Sequence, residues 1–138
     1  EAAGVPIIKQ MLMDLPEDRP VVIDCPPGSG CPVMESIREA DYCVMVAEPT
    51  LFSVHNLSAV AELTRLFEKP CGVVINKALP GEAIMEDFCR KKELPVLDRI
   101  PYDPKIDAHG RAGQLTSAVD GMYGSRFLHL LRTIMEAL

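Results

Sequence analysis

Val21-Val22-Ile23-Asp24-Cys25-Pro26-Pro27-Gly28-Ser29-Gly30-Cys31-Pro32-Val33 is the stretch on which the fold turns. Its three opening apolar residues do not alternate with polar ones, the pattern of a short strand covered on both faces. Asp24 closes that run at its carboxyl end, where open α/β sheets place their ligands. Pro26 and Pro27 carry no N–H for a ladder, so the strand predicted over 21–24 stops there. Gly28 and Gly30 then allow positive φ and leave room for a group to approach the main chain. Asp24 in this setting either serves a metal ion and a terminal phosphate or caps the turn that follows.

Outward from this turn, strands alternate with helices. Upstream, Ile7, Ile8, Met11, Leu12 and Leu15 give residues 5–15 one apolar helical face, with Pro6 tolerated in the first turn. A polar loop over 17–20 leads into the strand. Downstream, a short helix is expected over 34–40 and a second buried strand over 42–47, ended by Glu48-Pro49-Thr50. The helix expected over 53–68 has Val60, Leu63, Leu66 and Phe67 toward the core, with Glu62 and Arg65 in water. A third strand, 71–75, ends at Asn76-Lys77. An amphipathic helix over 81–92 turns Ile84, Met85, Phe88 and Cys89 inward. A fourth strand, 95–100, runs into Pro101-Tyr102-Asp103-Pro104. Residues 105–117 show no period and read as a loop with one helical turn. Phe127, Leu130, Leu131, Ile134, Met135 and Leu138 repeat at helical spacing and close the domain.

This alternation predicts a single α/β domain over 1–138, three layers deep. A mostly parallel sheet carries helices on both faces, joined by right-handed crossovers. All strand tips then point to one edge, so Asp24, Glu48-Pro49-Thr50, Asn76-Lys77 and 101–103 share a rim.

The net charge of −6 gives no electrostatic reason to bind nucleic acid or an anionic membrane surface. No apolar run approaches the roughly 20 residues that cross a bilayer, and no basic-then-apolar leader points to secretion. The five cysteines include no CxxC pair, which argues against a self-contained zinc or iron–sulfur site. Cys43 and Cys71 lie in apolar strand-like runs as small hydrophobes. Cys25 and Cys31 flank the Pro/Gly turn and are the one pair kept as a redox candidate. A reducing cytoplasm is the expected location. His55, His109 and His129 are scattered and receive no role.

Four segments carry a resemblance: VVIDCPPGSGCPV (21–33), VMVAEPTLFSVHNL (44–57), GVVINKA (72–78) and RIPYDP (99–104). In order and spacing they resemble the second half of the MinD/ParA/Mrp family of P-loop ATPases, most of all the MinD-like ATPases with an inserted ferredoxin domain. The resemblance implies that Asp24 is the catalytic switch carboxylate, ordering magnesium or its water shell near the γ-phosphate. It implies that Pro26, Pro27 and Gly28 form the hinge of that switch, with Glu48, Pro49 and Thr50 beside the phosphates. Asn76 would read the adenine edge, as an amide both donates and accepts, and Pro101 and Asp103 would pack beside the same base. The plainer roles are that Asn76 caps a strand, Lys77 is a solvated charge, and Pro101 and Pro104 shape a loop. Adenine is expected over guanine because Asn76-Lys77-Ala78-Leu79 lacks the aspartate of NKxD.

One departure is large. No GxxxxGK[ST] occurs, and Gly28-Ser29-Gly30 is not followed by lysine. The expected fold is therefore a partial P-loop NTPase fold without its phosphate-loop strand. The resemblance implies the carboxyl-terminal part of a longer ATPase that uses ATP/ADP and Mg, with a 4Fe-4S cluster in an upstream region and none on this chain. It also implies a homodimer and a ferredoxin-type or iron–sulfur/redox partner. These 138 residues alone are expected not to hydrolyse ATP. Without the phosphate-loop strand, two apolar edges would close the gap or associate with another chain. The alternatives are a non-catalytic α/β binding or interaction module and the ATP-binding domain of a cobyrinic acid a,c-diamide synthase-like protein.

Overall fold

The computed structural model describes residues 4–16 and 18–138, so Glu17, expected in the polar loop, lies outside it. In chain order its elements are α1 (Gly4–Met13), α2 (Cys31–Glu39), β1 (Cys43–Ala47), α3 (Leu51–Leu66), β2 (Cys71–Ala78), α4 (Ile84–Lys91), β3 (Val96–Pro101), α5 (Pro104–Arg111), α6 (Thr116–Val119) and α7 (Gly121–Glu136). The fold is α/β: a three-stranded parallel sheet in the order β1–β2–β3, flanked by helices. Its residues gather into two compact units. The first comprises residues up to Cys43 with His55–Cys71, and the second comprises Val44–Val54 with Gly72–Leu138.

In the second unit β2 is the central strand. Gly72, Val73, Val74 and Ile75 are buried without a break, as a strand covered on both faces requires. β3 lies parallel to it, with Val73 opposite Val96 and Ala78 opposite Pro101. Gly72 permits this approach: a Cβ there would sit 2.5 Å from Leu97 Cγ. Val74, Ile100 and the fully buried Tyr123 of α7 form a core cluster, with Leu97, Ile106 and Leu130 packed on it. Arg126 fastens α7 to β3 by a two-pronged contact, Nε to Asp98 Oδ2 at 2.7 Å and Nη2 to Asp98 Oδ1 at 2.9 Å. In α4, Met85 and Cys89 are buried as the helical pattern predicts.

The first unit departs more from expectation. Residues 21–24 form no strand, and Val22 is 86% exposed. A strand needs a partner to satisfy its N–H and C=O groups, and no described strand pairs with this segment. The sheet consequently has three strands where four were predicted. The turn does lead into a helix. α2 begins three residues early, at Cys31, because Pro32 is suited to a first helical turn. α1 packs on α2 and Lys9 reaches Glu35 at 3.9 Å, yet Ile7 and Met11 of its apolar face stay exposed. In α3 the buried residues are Leu57, Ala61 and Thr64, and Leu66 is exposed. Thr64 tolerates full burial because its hydroxyl donates to Ala61 O at 2.9 Å. The cysteines are all free thiols, with Cys25 and Cys31 exposed.

Two further differences concern segments read as irregular or fully buried. The stretch 105–117 is helical at both ends, as α5 and α6. Asp103 caps α5, accepting from Lys105 N at 2.9 Å, and Pro104 follows in the first turn. β1 buries only one face: Met45 and Ala47 are inside, whereas Val44 and Val46 are 40% and 64% exposed.

A candidate ligand rim at the carboxyl ends of the strands

Three parallel strands deliver three chain reversals to one edge of the second unit. β1 gives way to Glu48-Pro49-Thr50, and Thr50 starts α3 by accepting from Ser53 N at 3.1 Å through its hydroxyl. β2 runs past its expected end at Ile75, so Asn76 and Lys77 belong to the strand itself. The register slips between Ile75 and Ala78, a bulge of the kind that re-aims a side chain. β3 ends at Pro101, and Tyr102 N donates to Ala78 O at 3.0 Å, holding the second and third reversals together.

Lys77 is the centre of this edge. Its φ is +53°, in the left-handed region. The other described non-glycine residues with positive φ, Glu68 and Glu93, lie just beyond the ends of α3 and α4, a common place for that conformation. Lys77 adopts it inside a strand. Its ammonium reaches across to the first reversal and meets Glu48 Oε1 at 2.7 Å. The hydrogen bond to Glu48 raises the lysine's pKa above its ordinary value. The expected solvated charge is therefore a paired one. Asn76 Oδ1 accepts from Lys77 N at 3.0 Å, so the same bulge also orients the carboxamide.

Two cavities open on either side of Lys77 and Tyr102, which line both. One, of about 300 Å³, is walled by Glu48, Pro49, Thr50 and Glu82; the other, of about 140 Å³, by Asn76, Pro101, Asp103, Ile106 and Asp107. Asp103 has both oxygens engaged, Oδ1 by Lys105 N and Oδ2 by Tyr123 OH at 2.9 Å. The Lys105 N–H, and after it the Tyr123 hydroxyl, hold its carboxyl below the usual carboxylate range. Arg99 secures the reversal after β2. Its guanidinium donates to Leu79 O at 2.7 Å and Glu82 O at 3.2 Å, and also pairs with Glu86.

The structure thus brings Glu48, Pro49, Asn76, Pro101 and Asp103 to the two cavities. Asp24, Pro26, Pro27 and Gly28 belong to the other unit, in an exposed irregular segment where Gly28 takes φ +100°. Sequence reasoning passed over the Glu48–Lys77 pair, Tyr102 and Arg99. The available signal was opposite charge at two strand tips expected on one rim.

The smaller cavity has mixed walls. Pro101 and Ile106 supply apolar wall, and Asn76 and Asp107 supply polar groups beside it. The two cavities offer a magnesium triphosphate little positive charge. Among the described residues Lys77 is the one cation lining either cavity, against the carboxylates of Glu48, Glu82, Asp103 and Asp107. Among the described residues no three histidine, cysteine or acidic side chains are placed to hold a metal ion.

A parallel sheet with reversals gathered at its carboxyl edge is the arrangement in which open α/β folds place their ligands. Comparison with known proteins narrows it. No family model matches the chain. Over 56 residues it is 34% identical to an uncharacterized protein of Methanocaldococcus jannaschii, a match covering 41% of this chain and 20% of that protein. Among solved structures it is similar to the MinD cell division protein of Aquifex aeolicus, with a TM-score of 0.73 at 17% identity over 96% of this chain. It is also similar to the cell division ATPase MinD of Pyrococcus furiosus, with a TM-score of 0.74 at 20% identity over 100% of this chain. The chain covers 59% and 60% of those two proteins. At these identities the likeness establishes the fold, which is that of the MinD ATPases. No helix among the described residues is long and apolar enough to cross a membrane.

Proposed function

We propose that this chain supplies the base-binding side of a MinD-like ATP site and acts as the carboxyl-terminal part of an ATPase. One observation carries the reading: the three strand reversals of a MinD-type fold meet at adjoining cavities, with Asn76, Pro101 and Asp103 around the smaller. In this proposal Asn76 reads adenine, and Glu48 and Pro49 face the ribose and phosphates. Asp24, with Pro26, Pro27 and Gly28 as its hinge, serves magnesium in the complete site. The donors that neutralise a triphosphate come from a phosphate loop that these residues do not include. ATP-dependent dimerisation and an iron–sulfur or redox partner belong to the same proposal.

Titration of the chain with adenosine, followed by amide NMR, tests the base side. Shifts confined to the neighbourhood of Asn76, Lys77 and Tyr102 are expected, and their absence removes the nucleotide reading. Incubation with ATP and magnesium tests the phosphate side. No turnover is expected, and clear magnesium-dependent hydrolysis by these 138 residues would show that the phosphate donors are already present.

The second reading is a non-catalytic α/β interaction module. The exposed face of β1, with Val44 and Val46 in water, favours it. Concentration-dependent self-association that adenosine leaves unchanged would support that reading over the first.

A further inference from the structure

Two of the free thiols stand across from each other in the sheet. Cys43 opens β1 and Cys71 opens β2, and the Cys43 N–H donates to Pro70 O at 2.9 Å. In a parallel ladder that bond sets a residue opposite the one that follows the carbonyl, so Cys43 is paired with Cys71. Residues paired in this way project from the same face of the sheet. Thr64 Oγ1 of α3 lies 3.5 Å from Cys71 Sγ, which keeps that sulfur on the side the helix covers. Burial, and after it the neighbouring Cys71 thiol, push the Cys43 thiol above its ordinary pKa, with Lys69 opposing them and Cys25 adding a smaller push. Burial and then the same two thiols raise the Tyr42 phenol as well. Neither thiol is sealed from solvent: both are half-buried, whereas Cys89 is buried.

From this pairing we infer that Cys43 and Cys71 are a redox modification site, a dithiol that closes reversibly to a disulfide when it meets a low-molecular-weight disulfide. The thiolate of one cysteine attacks a sulfur of the small disulfide and expels one small thiolate. The second cysteine then attacks the protein sulfur of that mixed disulfide and expels the other. Two protein thiols are oxidised, one small disulfide is reduced, and the two thiolates that leave take up the two protons. The geometry permits the bond. Neighbouring strands lie about 4.8 Å apart, within the roughly 4.4–6.8 Å between Cα atoms that a disulfide spans. The two Cβ atoms must lean together to about 3.8 Å, and each belongs to the first residue of its strand, where the ladder holds only one side of the residue. Strain that remains makes the bond easier to reduce, which suits a reversible site rather than a structural one. The bridge closes the β1–α3–β2 crossover at its base and so restricts the unfolded chain. None of this depends on the base-binding reading.

The test is incubation of the reduced 138-residue chain with oxidised glutathione, followed by acid quenching and peptide mapping by mass spectrometry. A cross-link between Cys43 and Cys71 within one chain is expected, with the exposed Cys25 and Cys31 carrying glutathione and the buried Cys89 unmodified. The same experiment on the Cys25→Ser, Cys31→Ser double variant removes the exposed thiols and is expected to leave the cross-link in place. Thermal melts of that variant should put the bridged form about 5–10 °C above the reduced one, a difference that dithiothreitol abolishes. Adding Cys71→Ala is expected to remove both the cross-link and the shift, once circular dichroism has confirmed that the chain is folded. Glutathione held singly on Cys43 or Cys71 overturns the inference, as does a pair that stays reduced. A bridge that joins either of them to Cys25 or Cys31 overturns it too, and the map of the unmodified chain alone is enough to show any of these.

Discussion

Tyr123, the one buried residue of α7, donates its hydroxyl to Asp103 Oδ2 at 2.9 Å. The bond ties the closing helix to the cap of α5, directly beside the smaller cavity. With Oδ1 on the Lys105 N–H and Oδ2 on Tyr123, the carboxylate is oriented before any ligand arrives.

Tyr123→Phe keeps the ring and its packing on Val74 and Ile100 while deleting that donor. The Asp103 titration midpoint, followed by carboxyl 13C NMR, is expected to rise toward the ordinary value near about 4. It should remain below that value, because the Lys105 N–H is the larger cause of the depression. A midpoint unmoved by the substitution would mean that the phenol does not reach Asp103 in solution.

Asp98 offers the clearest pH dependence of stability. Its bond from Arg126 is the largest cause that lowers its pKa, and the Arg99 N–H adds to it at 2.7 Å. A carboxyl depressed in the folded state contributes fully above its unfolded value of about 3.9. That contribution is lost as pH falls through the lower folded value. Asp98→Asn is therefore expected to cost about 1–3 kcal/mol at pH 7. In urea melts the gap between variant and parent should narrow as the pH is lowered from about 4 and close only below the depressed folded value, and a gap that does not narrow in acid would assign the loss to something other than charge.

Two glycines of α7 should respond in opposite directions. A Cβ at Gly124 would lie 2.8 Å from the backbone oxygen of Ser117, which cannot swing aside as a side chain can. Gly124→Ala is expected to destabilise by about 1–3 kcal/mol. A Cβ at Gly121, the first residue of the helix, meets nothing within 4 Å. Gly121→Ala is expected to stabilise by about 0.4–1 kcal/mol through the smaller entropy of the unfolded chain. Thermal melts of the pair decide it.

The sequence was most legible where burial is two-sided or helical amphipathicity is strong. Gly72 to Ile75 and the Met85–Cys89 face appear as their patterns predict. It was least legible where a pattern needs a partner that spacing cannot supply. Val21-Val22-Ile23 has strand composition, yet among the described residues no neighbouring strand pairs with it. The buried face of α3 was misplaced because Thr64 and Ala61 carry little hydrophobic signal, and the Thr64 hydroxyl is satisfied locally by Ala61 O. At the rim, Asn76 and Pro101 were readable from their position at strand ends. The Lys77–Glu48 pair depends on a bulge and a positive φ, neither of which is written in composition.

The close approach of β2 and β3 gives the last prediction. A Cβ on Gly72 would meet three atoms of Leu97, at 2.5, 2.7 and 2.8 Å. All three belong to one side chain, so the obstruction can be relieved by shortening it. Gly72→Ala alone is expected to cost about 1–3 kcal/mol by overpacking. Leu97→Ala alone should also destabilise, since Leu97 packs on the cluster of Val74, Ile100 and Tyr123. In the double variant the new methyl enters the space that the leucine vacates. The combined loss should then be smaller than the sum of the single losses, by about 0.5–3 kcal/mol. Denaturant melts of the four proteins measure this coupling. Strict additivity would mean that the strands separate to admit the methyl, and that Gly72 does not set the spacing on which the alignment of the two strand tips depends.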